Sequence, residues 1–203
     1  MAAWDEPIGY VLRASTAGFS IGASVHQIDR PAFGSVVKAQ PRGNDRGGVY
    51  GLLYDMHIDD DPMVRQLVLA DAVSEETIRD QHHHRIVPVE MSVLSIGYRD
   101  YDDRVRHALP PRPPLSLDAV YLCTPEETKE ATYRFDYFRL VFANSQVPSE
   151  QLLAATLLIA QSTLPEDERY NYLVNAGREA ARLLSGDMAR LDSLLRLIYP
   201  TAA

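Results

Sequence analysis

A chain of 203 residues with 46% hydrophobic content can bury an ordinary core, as one medium domain or two small ones. Its charged fraction of 24% and net charge of -8 disfavour broad attraction to a nucleic-acid backbone, which depends on neutralising phosphates with Lys and Arg, although a local basic groove stays open. The apolar runs are far shorter than a bilayer span, "MAAWDEPIGY" lacks the basic and apolar regions of a signal peptide, and the single cysteine, Cys123, allows neither an internal disulfide nor a thiolate zinc cluster, so a folded cytoplasmic protein without membrane contact is expected.

From residue 8 to about 98 the chain reads as strands: "IGYVLRAST", "GFSIGASVHQI", "GSVVKAQ", "GVYGLLYDMHI" and "RIVPVEMSVLSIGY" are β-branched or alternating runs divided by turn residues. "PRGNDRGG" at 41 to 48 has no apolar residue and is rich in turn formers, which predicts a hairpin pairing "GSVVKAQ" with "GVYGLLYDM". Asp59, Asp60 and Asp61 precede Pro62 and a stripe of Met63, Leu67 and Ala70 widened by Val64 and Val68. An aspartate cap, Pro at the first helical position and acidic charge at the positive end of the dipole predict a short helix there rather than a metal site, for which further oxygen ligands are not evident.

"HALPPRPPLSLD", residues 107 to 118, holds four prolines that can continue neither a helix nor a central strand, and it reads as an extended connector. Its two PxxP spacings, Pro110 to Pro113 and Pro111 to Pro114, are read as part of that spacer before a docking motif. A short strand-like "AVYLC" follows, then helices over "YRFDYFRLVFAN", "SEQLLAATLLIAQS", "PEDERYNYLVNAGREAARLLS" and "GDMARLDSLLRLIY". Tyr170, Leu173, Val174, Gly177, Ala181 and Leu184 make one apolar stripe; Met188, Leu191, Leu194, Leu195 and Ile198 make another. Ser149, and Ser162 or Thr163, stand where helix caps are expected, and Gly186 separates the last two helices. A small bundle, or helices that dock on a partner, would bury these stripes.

The strand run, with "RAST" leading into "GF", a strand entered through Gly34 that carries "VVKA", the return "YGLLYDM", and a late strand ending in Gly97 and Tyr98, resembles the HAS-barrel, the small β-barrel shared by HerA-type DNA translocases and ATP synthase subunits. "LPPRPPLSLDAVYL" resembles the proline-rich exit after such barrels. The similarity covers roughly the first 120 residues and rests on hydrophobic pattern and a few glycines. It implies a ring-associated role in holding subunits together or meeting a nuclease partner. ATP hydrolysis does not carry over, because a P-loop needs a Gly-rich turn ending in Lys and then Ser or Thr. Lys38 lies between "SVV" and Ala39, Lys129 between "EET" and Glu130, and the chain has no other lysine.

Chemistry has few footholds. His82, His83 and His84 are adjacent, so at most His82 and His84 share a face, and further metal ligands would have to come from elsewhere. Ser24 in "GASVH" lacks the second glycine of a nucleophile elbow, and Cys123 in an apolar run reads as a core thiol. No catalytic, cofactor or metal residues are assigned. "GYRDYDDRVRH" concentrates Tyr98, Arg99, Tyr101, Arg104 and Arg106 outside the strand pattern; these are residue types of binding hot spots, and the segment is the expected partner surface, against the alternative of a solvated, salt-bridged loop.

The expectation is an α+β protein: a HAS-like small antiparallel β-barrel with an inserted short helix over 1–106, a proline-rich connector over 107–118, and a short strand with a helical bundle over 119–203. Its expected role is a non-catalytic adaptor or assembly factor for a HerA-like ATPase, an associated nuclease or a related ring, with a homo-oligomer left open by the tendency of such barrels to associate edge to edge. Two rivals are a barrel binding single-stranded nucleic acid and a metal-dependent hydrolase built on His82 and His84.

Overall fold

The computed structural model describes residues 4, 6–24, 30–41, 47–58, 88–100 and 102–199. The expected helix after Met56, the aspartates at 59–61, the histidines at 82–84, the hairpin tip and Tyr101 lie outside the described residues. The strands are β1 (Gly9–Ala14), β2 (Gly18–Ser24), β3 (Val36–Gln40), β4 (Gly48–Ile58), β5 (Pro88–Arg99), β6 (Val105–Arg106) and β7 (Ala119–Leu122). All pair antiparallel, and the order β1-β2-β5-β4-β3-β7 returns to β1, which closes a barrel; β6 extends the far end of β5.

The hairpin of β3 and β4 has the expected partners, from Val36 opposite Leu52 to Ala39 opposite Val49. The closing strand is the short run at 119, grouped by sequence with the helices. Its Val120 faces Gly9 on one side and Ala39 on the other, so it is a barrel strand, and the chain leaves the barrel only after it. Closure gives each of the six barrel strands two neighbours, though β1 and β7 share only two residue pairs and β6 pairs with β5 alone.

Two apolar layers follow from alternation along the strands. Val11, Phe19, Ile21, Val37, Val49, Leu53, Met91, Val93 and Val120 fill the barrel. Val36, Tyr50, Leu52, Leu94 and Ile96 face outward from β3, β4 and β5 into a second core shared with the helices. This explains why "GVYGLL" is buried without alternation: both faces of that half of β4 are covered.

The helices are α1 (Pro125–Thr132), α2 (Phe138–Phe142) after a turn of 3₁₀-helix at Phe135–Tyr137, α3 (Ser149–Ser162), α4 (Glu166–Leu183) and α5 (Met188–Ile198). They pack on their own barrel. α3 is central, with Leu152, Leu153 and Leu157 fully buried and contacts to the other four helices and β4. No described helix is long and apolar enough to cross a membrane.

Four local expectations need correcting. Ser149 does not cap α3; its hydroxyl is buried and donates to the Val141 carbonyl at 3.2 Å, tying α3 to α2. Ser162 and Thr163 donate back to the Ile159 and Ala160 carbonyls, so they finish α3, and Pro165 stands at the cap of α4. On α4 the buried face is Tyr172, Leu173, Ala176 and Ala180, with Leu184 just beyond the helix, whereas Tyr170 is 70% exposed. Tyr172 is drawn inward by aromatic neighbours, Phe135 at 5.2 Å and Tyr133 at 6.2 Å between ring centroids. On α5, Leu191, Leu194 and Ile198 are buried as the stripe requires, and Met188 is exposed.

His107 sits where the connector leaves β6, buried against Tyr137 with its Nδ1 unpartnered among the described residues, while Arg139 donates to its carbonyl at 2.7 Å. Burial lowers its pKa, against an opposing hydrogen bond to the Ile96 backbone; Asp136 raises it, and Arg134 and Arg139 lower it. The folded chain therefore holds His107 neutral while the unfolded chain takes up its proton first. Stability should fall as pH drops below about 6.5 and go on falling until the lowered folded-state pKa is reached. Urea titrations across that window should show a shallower acid-side loss for His107→Gln than for the wild type.

Candidate protein-binding surface

The segment from Gly97 to His107 is a braced turn. Gly97 allows β5 and β6 to meet closely, since a Cβ there would lie 2.6 Å from the Arg106 carbonyl oxygen. Tyr98 pairs with Arg106 and Arg99 with Val105; Asp103, at φ 60, turns the chain through backbone bonds between Asp100 and both Asp103 and Arg104.

Arg99 points inward. Its guanidinium donates to the Tyr50 hydroxyl from Nε at 3.0 Å and Nη2 at 2.6 Å, to Glu130 of α1 at 2.6 Å and to Asp103 at 3.3 Å, and its side chain is 15% exposed. Burial pushes the Tyr50 hydroxyl far above its ordinary pKa, with the Arg99 bond working against it, so Tyr50 remains a neutral acceptor. Arg106 pairs with Asp100 and, at 4.0 Å, Asp102. Arg104 is exposed and has no ion-pair partner among the described residues. Of the five residues singled out, the structure thus brings Tyr98 and Arg106 together on the ribbon, commits Arg99 to the interior and leaves Arg104 outward; Tyr101 lies outside the described residues.

Below this turn, α1 is locked to the barrel. "TPEE" is a capping box in which Thr124 accepts from the Glu127 amide at 3.2 Å and Glu127 accepts from the Thr124 amide at 3.1 Å. Glu127 also pairs with Lys38 of β3, and Lys129 pairs with Glu168 of α4 at 3.1 Å while lying 5.4 Å from the centre of the Tyr133 ring. Cys123 is buried among these groups, and desolvation pushes its thiol pKa well up, which suits a packing role.

A different surface emerges on the wall of the barrel away from the helices. The outward residues of β1, Tyr10 and Leu12, are 44% and 51% exposed, and the connector adds Leu115 at 71% and Leu117 at 57%. The connector is stitched to β1: the Leu117 amide donates to the Val11 carbonyl at 2.8 Å, the Val11 amide to the Asp118 carbonyl at 3.0 Å, and Ser116 Oγ to the Leu12 carbonyl at 3.3 Å. The Asp118 carboxylate accepts from the Leu115 amide at 2.8 Å, which closes the turn. Leu117 adopts φ 68, a left-handed conformation that costs a branched side chain of this size about 1–2 kcal/mol. The fold thus holds these leucines outward at an energetic cost. In sequence "PPLSLD" reads as spacer; the signal that marks the turn is an Asp closing a Leu-Ser-Leu step directly before a strand.

No protein-family model matches the chain, and no curated protein matches it significantly.

Proposed function

We propose that the protein is a non-catalytic adaptor or assembly factor whose barrel joins a HerA-type motor ATPase, its nuclease partner or a related ring complex in DNA processing. The observation that carries this reading is the asymmetry of the barrel: its interior is filled by apolar side chains, its β3–β5 wall is sealed by the chain's own helices, and its β1 wall presents Tyr10, Leu12, Leu115 and Leu117 to solvent. A packed interior argues against a ligand-holding barrel, and an apolar wall built on a strained turn supports protein contact. The choice of partner rests on the HAS-barrel likeness of the strand pattern. Both lysines are engaged in ion pairs with Glu127 and Glu168, which supports a structural use of them over phosphate binding.

Tagged protein, used as bait in native extract, should recover a motor ATPase or a nuclease; a wild-type bait that recovers neither refutes the reading. A double variant, Leu115→Ser with Leu117→Gly, should lose that capture while its folding stability changes by no more than about 1 kcal/mol, since glycine relieves the left-handed strain at some cost in chain entropy. Capture undiminished in this variant would move the contact off the β1 wall.

A further inference from the structure

A cleft of about 420 Å³ opens where the outer wall of the barrel meets the loop after α2. Phe19, Ile21, Met91 and Val93 point into the barrel, so Ser20 and Ser92 face out. Register then sets a polar row across three strands, with Arg13 opposite Ser20 and Ser20 opposite Ser92. β4 contributes Tyr54, the extra residue where its pairing with β5 slips between Leu53 and Asp55; such a bulge re-aims a side chain. Asn144 completes the lining from the helical side.

The chemistry of this lining is one-sided. Ser20 is 5% exposed and its Oγ has no hydrogen-bond partner among the described residues, a cost the fold carries without an evident structural return. Arg13 gives one Nη2 bond to Glu90, and its other N–H groups have no partner among the described residues. Asn144 Oδ1 accepts from the Gln146 amide at 2.8 Å, which leaves the NH₂ end of its side chain as the end on offer. Among the described residues no carboxylate lines the cleft itself, in a chain with 28 acidic residues against 20 basic ones; the nearest acids are Glu90, on Arg13, and Asp55, the register partner of Ser92. An exposed Arg–Glu pair alone would signify little. Beside a buried hydroxyl without a partner, in an open cleft of small-ligand size, the Arg13 N–H groups not given to Glu90 supply the donors that an oxyanion takes.

We propose that this cleft binds a small molecule bearing a phosphate or carboxylate, its oxyanion held by Arg13 and Ser20 and its body lying against Tyr54, Ser92 and Asn144. Arg13 belongs to β1, so the cleft borders the β1 wall, but its lining shares no residue with Tyr10, Leu12, Leu115 and Leu117, and its occupancy does not depend on the adaptor reading.

Amide chemical shifts of the full chain, followed during separate titrations with inorganic phosphate and succinate, test this. Saturable shifts centred on Gly18–Ser20 and Ser92–Leu94 are expected, with phosphate or with succinate according to which oxyanion the site takes. Ser20→Ala and Arg13→Gln should each weaken binding about tenfold or more. Ser20→Ala without ligand should melt no lower than the wild type, because it deletes a polar group that has no partner. The proposal is overturned if neither anion produces saturable shifts, if either variant binds as the wild type does, or if Ser20→Ala lowers the melting temperature, which would show the hydroxyl to be satisfied for structural reasons.

Discussion

Gly34→Ala is expected to destabilise the protein by about 3–5 kcal/mol, through two costs that arise at the same atom. Gly34 opens the approach to β3 at φ 87, where any Cβ is strained. A Cβ there would also lie 2.6 Å from the Ala155 Cβ and 2.8 Å from the Thr156 amide nitrogen, both on α3, and backbone cannot yield as a flexible side chain would. The close approach is what allows Thr156, fully buried, to donate its hydroxyl to the Gly34 carbonyl at 3.0 Å. Thr156→Val should therefore cost about 1–3 kcal/mol on its own, and the two losses should be less than additive because they act on one contact. Urea denaturation of the single and double variants measures both. Gly186→Ala, where nothing lies within 4 Å of the added carbon, is the control expected to be near neutral. A loss below about 1 kcal/mol for Gly34→Ala would mean that α3 does not rest directly on the entry to the barrel.

Gly34 also shows where sequence reading works and where it stops. The glycine before "VVKA" marks a strand entrance, and the turn-rich stretch after it sets the β3–β4 hairpin, because both are local signals. That the space above Gly34 belongs to α3 is a long-range fact with no local trace. β7 is the same case: "AVYL" is recognisably extended, but four residues cannot announce that their partners are Gly9 and Ala39. α1 is hard to read from sequence for the opposite reason. Its capping box is explicit in "TPEE", yet "PEETKEAT" is too polar to display an apolar stripe, and only Thr128, Ala131 and Thr132 are buried. On α4 the apolar residues allow two adjacent stripes, and the aromatic cluster around Phe135 selected the one through Tyr172. At the candidate sites the gap is wider. Tyrosine and arginine in a turn read alike whether they meet a partner or brace the fold, and the cleft of Arg13 and Ser20 depends on register across separate strands.

Arg99 decides between bracing and partner contact. Arg99→Ala should lower stability by about 2–3 kcal/mol, because it removes charge-assisted bonds to Glu130 and leaves the Tyr50 hydroxyl, in a side chain with no exposed surface, without its donor. Arg99→Lys should recover little of that. The planar fork reaches the phenol and the carboxylate together while lying 5.6 Å from the centre of the Tyr50 ring, and an ammonium offers no such geometry. Tyr50→Phe removes the acceptor along with the need for it, so it should cost less than Arg99→Ala, and the double-mutant cycle should give a coupling of about 1 kcal/mol or more. A loss of partner capture in Arg99→Ala with an unchanged unfolding midpoint would instead make Arg99 a contact residue. Arg104, outward on the same turn, supplies the comparison: Arg104→Ala should leave stability within about 0.5 kcal/mol of the wild type, so any effect it has on capture reports the surface alone.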